Sequence, residues 1–103
     1  MPTNQQAREY YDKLKIHHSN LIETLKRLQN PTPSSSLSIE SVQQFETFIE
    51  ENPSKHFVPY NSFFFIFTNN LLTTIQRTIR DIKLLANQHY NHAHRFANSG
   101  NLL

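Results

Sequence analysis

Residues 61–70 read NSFFFIFTNN, an unbroken run of five apolar side chains, four of them Phe, set between Asn and Ser neighbours. How this run folds decides the fold of the chain. At about 100° per residue a helix carries Phe63, Phe64, Phe65, Ile66 and Phe67 through more than a full circle, leaving no side of that turn for water. A strand would send them alternately to two faces, and both the aromatic content and the flanking Asn and Ser suit one. A strand also needs a neighbour to pair with, and no second good strand candidate exists in the sequence. The helix is therefore preferred, and it raises the question of what covers a ring of aromatic side chains.

Downstream of the block, Phe65, Thr68, Leu72, Ile75, Ile79, Ile82, Ala86, His89, Ala93 and Phe96 recur at alternating steps of three and four. That spacing marks a helical seam of the heptad kind. It predicts one long helix over 61–98, with Asn61 as N-cap, Tyr60 and Phe65 as a hydrophobic staple, and Gly100 as the stop. At a 1.5 Å rise per residue its length is on the order of 55 Å, more than a domain of this size usually spans. Such a helix has to project, bend or pack against another chain.

Upstream, Tyr11, Leu14, His18, Leu21, Leu25 and Leu28 form a second seam, predicting a helix over 4–29. Thr3 and Gln6 fit a capping box, Lys26 and Arg27 suit the negative end of the helix dipole, and Asn30-Pro31 ends it. Residues 30–37 read NPTPSSSL, a Pro/Ser linker expected to form a surface loop. A shorter helix is expected over 38–51, capped by Ser38, stapled by Leu37 and Val42, and burying Val42, Phe45, Phe48 and Ile49. Asn52-Pro53 stops it, and 52–60 is a loop. The expected fold is all-α, a single helical domain over 1–103. It is a three-helix bundle with a short middle helix, a long C-terminal helix and coiled-coil-like packing.

Composition narrows the chemistry. The absence of Cys rules out disulfides and thiolate sites. The single Gly leaves no phosphate-cradling loop or nucleophile elbow. No catalytic residue is assigned, and a non-enzyme is expected. The N-terminus lacks a basic start followed by an apolar run, so no secretory signal is read there and a cytoplasmic setting is expected, with a nuclear one as the variant. Residues 56–76 carry no Asp, Glu, Lys or Arg, but Pro59, Asn61, Ser62, Asn69 and Asn70 interrupt them, and a membrane span needs about 20 apolar residues. His89 and His92 sit one turn apart on the long helix, yet no carboxylate lies near them. His18 and His89 read as polar members of the seams, with no metal site and no cofactor.

Two short stretches resemble known families. AHRFANSGNLL, residues 93–103, resembles the phosphoacceptor motif of histidine-phosphotransfer domains, with His94 in the acceptor's place; Ala97 and Asn98 stand where that family has Lys and Gly. VPYNSFFFIF, residues 58–67, resembles the opening of an HMG box, but the sequence has no Trp. Neither departure is compensated elsewhere, and no family is assigned.

Charge supplies the remaining expectations. Ten basic and eight acidic residues leave a net charge of only +2, but they are unevenly placed. Arg77, Arg80 and Lys83 make a possible basic face on the long helix, opposite which Glu46, Glu50 and Glu51 of the middle helix could sit. The same face could meet nucleic-acid phosphates, which is the alternative function. The preferred expectation is a non-enzymatic helical protein–protein interaction module, self-associating as an oligomer or serving as an adaptor in a larger assembly. Its partner-binding residues are Phe63, Phe64, Phe67 and Leu71, and one side of the Phe block is expected to close the core against Phe45, Phe48 and Ile49.

Overall fold

The computed structural model describes residues 2–31 and 38–101, and their side chains as far as His89. Helix α1 spans Asn4–Gln29 and α2 spans Glu40–Glu51; a 3₁₀ turn at Ser54–His56 leads to α3, Phe63–Asn101. No strand occurs among the described residues, and the fold is an all-α bundle. Most of the linker, with the Leu37 half of the staple, lies outside the described residues.

Capping chemistry explains where α1 and α3 start. Thr3 Oγ1 accepts from the Gln6 N–H at 3.1 Å while Gln6 Oε1 accepts from the Thr3 N–H at 2.8 Å, the reciprocal capping box. Ser38 Oγ accepts from the Glu40 N–H at 3.2 Å, and the Val42 N–H bonds back to the Ile39 carbonyl at 2.9 Å. Helix α2 starts at Glu40 with Ile39, not the expected Ser38, in the N-cap position, and the Ile39 side chain offers no capping acceptor. For α3 the cap is Ser62 and not Asn61, because the chain first closes a turn from the Ser62 N–H to the Pro59 carbonyl at 3.2 Å. Ser62 Oγ then accepts from the Phe64 N–H at 3.1 Å. At the other end α3 runs through Gly100 to Asn101, and no described residue takes a positive φ, so a left-handed glycine does not terminate it.

Side-chain contacts fix the directions. Tyr10 meets Asn52 and Phe48 while Thr24 meets Ser41, so α2 runs antiparallel to α1. Tyr11 meets Phe64 while His89 meets Leu28, so α3 runs parallel to α1. The result is an up-down-up bundle measuring 65 × 20 × 19 Å. Because His89 already lies beside the end of α1, residues 90–101 of α3 carry on past it by roughly 18 Å at 1.5 Å per residue.

The core is centred on α1, which faces both other helices. Leu14, Leu21 and Leu28 are buried along its middle, as their seven-residue spacing predicts. Ala7 continues that line, whereas the buried flank is Tyr10 and Thr24, on the side of the seam opposite to Tyr11, His18 and Leu25, which are only half-buried. That flank faces α2: Tyr10 stacks on Phe48, and Thr24 shares a hydrogen bond with Ser41 at 2.6 Å. On α3, Thr68, Ile75 and Ile82 are buried along the predicted seam. Truncating Leu21 or Ile75 to Ala should each cost about 2–5 kcal/mol.

Candidate interaction surface

The Phe block is divided among different surroundings. Phe64 leans on Tyr11 of α1 with ring centroids 6.4 Å apart, and Phe65 stacks on Tyr60 at 4.9 Å. Both are half-buried. Phe63, Ile66 and Phe67 are 85%, 62% and 55% exposed. Tyr60, although stacked on Phe65, is also largely exposed.

Phe64 and Phe65 pack against the same core that holds Phe45, Phe48 and Ile49, but among the described residues no ring of the Phe block stacks on Phe45 or Phe48. Phe48 stacks on Tyr10 at 5.6 Å and on His17 at 4.7 Å, and Phe45 lies 5.8 Å from His17. The ring contacts of the short second helix are thus made to α1. Phe45 and Ile49 instead line one wall of an open groove of about 430 Å³, whose other wall is Leu72, Gln76 and Ile79 of α3.

Of the four residues assigned to partner binding from the sequence, Phe63 and Phe67 point outward, while Phe64 and Leu71 are half-buried and pack against the core. Ile66 belongs with the outward pair and was not among the four. Its one-turn spacing from Phe63 was the available signal. Further along the same outward face come Asn70, Thr73, Thr74, Arg77, Arg80, Asp81 and Leu84, all exposed. Thr73 Oγ1 donates to the Asn69 carbonyl at 2.9 Å and Thr74 Oγ1 to the Asn70 carbonyl at 3.0 Å. With both hydroxyls turned back onto the helix, the middle of this face is less polar than its composition implies.

The basic face is partly neutralised within the chain. Lys83 Nζ lies 3.4 Å from Glu46 of α2, and Arg80 Nε lies 4.0 Å from Asp81. Both pairs are exposed, and each is worth at most about 1 kcal/mol.

The histidines are placed by packing. His89 Nε2 lies 2.8 Å from the Leu28 carbonyl oxygen and must carry the proton, since a carbonyl only accepts. His18 is half-buried, with Nε2 lacking a hydrogen-bond partner. His17, which the seam reading passed over, is the histidine packed on Phe45 and Phe48, and desolvation lowers its pKa. Among the described residues no group of three or more His, Asp or Glu is placed to hold a metal ion. The side chains of His92 and His94, and with them the phosphoacceptor resemblance, lie outside those described. Among the described residues no helix is long and apolar enough to cross a membrane.

No protein-family model, curated protein or solved structure matches this chain.

Proposed function

We propose that the chain is a non-enzymatic helical interaction module, an adaptor or subunit that works inside the cell by docking the outer face of α3 onto another protein chain. The observation that carries this reading is the cluster of Phe63, Ile66 and Phe67 on one end of α3, which the other described residues leave exposed. Scattered exposed apolar residues are ordinary, but three large ones within five positions on one helical face make a contiguous patch of the kind that marks an interface. The nucleic-acid alternative has weaker support, because Arg80 and Lys83 each have a carboxylate close by and the phosphate-binding charge is correspondingly reduced.

The test places a photo-crosslinking phenylalanine analogue at Phe67 of the full chain in its own cells, with Lys13 on α1 as the exposed control. The reading expects a discrete adduct of defined mass from position 67 and none from 13. Absence of any adduct at 67 would overturn it.

A further inference from the structure

The outer face of α3 is amphipathic along its length as well as around its circumference. It begins with Phe63, Ile66 and Phe67, continues through Asn70, Thr73 and Thr74, and ends in Arg77, Arg80, Asp81 and Leu84. These positions recur every three to four residues, so they form a single strip along the helix. The strip spans about 32 Å at 1.5 Å per residue. Its two ends differ in chemistry, and each end supplies what the other lacks.

Resting on the interaction-module reading above, we infer that the occupant of this strip is a second copy of the same chain, laid antiparallel along it about a twofold axis beside Thr73 and Thr74. That axis sets Thr73 opposite Thr74 of the second copy, where the inward-bonded hydroxyls allow close approach. One turn out, Asn70 meets Arg77, whose guanidinium can donate to the Asn side-chain carbonyl. Beyond that, the Phe67 ring meets the Arg80 guanidinium, a cation–π pair. At the ends, the exposed Phe63 meets the exposed Leu84. Ile66 falls opposite Asp81, whose carboxylate keeps its own neighbour Arg80 at 4.0 Å. A twofold axis generates every one of these contacts twice.

Charge selects the direction. In a parallel pairing Arg77 would face Arg77 and Arg80 would face Arg80, like charges opposed along the seam. The antiparallel pairing separates them and gives each arginine a carbonyl or an aromatic face. It also covers Phe63 and Phe67 of both copies, which the described residues of one chain leave exposed.

The chain has no Cys, so introduced thiols are the only ones present. Asn70→Cys and Arg77→Cys variants, both at exposed positions, are oxidised separately and as an equimolar mixture. The expected result is a disulfide-linked dimer that forms readily in the mixture and not in either variant alone. Sedimentation equilibrium of the unmodified chain should show a monomer–dimer equilibrium that Phe67→Glu abolishes while the helical circular dichroism is retained. Links formed within each variant alone would indicate a parallel pairing and overturn the arrangement. A monomer persisting at millimolar concentration would overturn the second-copy inference altogether. In that case a position-67 adduct to a different protein in cells would leave the interaction reading standing, and no adduct at all would remove both.

Discussion

The imidazole of His89 on α3 donates from Nε2–H to the carbonyl of Leu28, one residue from the end of α1, at 2.8 Å. The last carbonyls of a helix have no partner within it, so a side chain arriving from another helix here acts as a tertiary C-cap. It also fixes how α3 is set along α1. His89→Ala should lower stability by about 0.5–1.5 kcal/mol for the lost hydrogen bond, with Gln in its place recovering part of this. Urea denaturation of the three proteins measures it, and an unchanged midpoint for the Ala variant would show the contact to be energetically idle.

Tyr10 is 3% exposed and lies against Phe48 and Phe57, with its hydroxyl donating to the Asn52 carbonyl at 2.8 Å. Desolvation pushes its pKa from 10.0 up to about 12. The folded state therefore favours the neutral phenol, and its contribution is intact below the ordinary pKa and is lost as pH rises through the folded one. A loss of stability between about pH 10 and pH 12 is expected, and Tyr10→Phe should blunt it. At neutral pH the same substitution should cost about 0.5–1.5 kcal/mol through the missing hydrogen bond. Denaturation midpoints followed across this pH range, with spectroscopic titration of tyrosinate, check both.

His17 has the opposite sign. Burial against Phe45 and Phe48 penalises its charged form and lowers its pKa below the ordinary 6.5. As pH falls through 6.5 the unfolded chain takes up the proton first, so stability is full above that pH and declines below it. His17→Phe should remove this part of the acid sensitivity. Thermal unfolding of both proteins at neutral and mildly acidic pH provides the comparison, and parallel losses in the two would assign the sensitivity elsewhere.

Neighbouring aromatic positions should respond differently to charge. Phe63→Glu and Phe67→Glu place a carboxylate in water and should change the monomer's stability by no more than about 0.5 kcal/mol. Phe64→Glu must take a half-buried ring away from Tyr11 and should destabilise clearly more. Chemical denaturation under dilute, monomeric conditions separates the two classes; equal losses at Phe64 and Phe67 would contradict the observed exposure.

The seams on α1 and α3 were legible because a helix that packs along one side must repeat its apolar residues at the helical period. Leu14, Leu21, Leu28, Ile75 and Ile82 are buried where that repeat puts them. The capping box at Thr3 and Gln6 was legible for a similar reason, since its two hydrogen bonds lie within four residues. Thr24 was not legible. A threonine reads as surface until Ser41 arrives from another helix to share its hydroxyl. Nor was His17, whose aromatic surroundings come entirely from α2.

The interaction surface divides in the same way. The sequence alone determined that Phe63–Phe67 could not be covered by one short neighbour, because a full turn of apolar side chains presents every direction at once. Which members stay outside depends on contacts distant in sequence. Tyr11 and Tyr60 take Phe64 and Phe65, while α2 turns its Phe45 and Phe48 to α1, leaving Phe63, Ile66 and Phe67 in water. The helical period sets which residues share a face, but which face is buried depends on where the neighbouring helices come to rest.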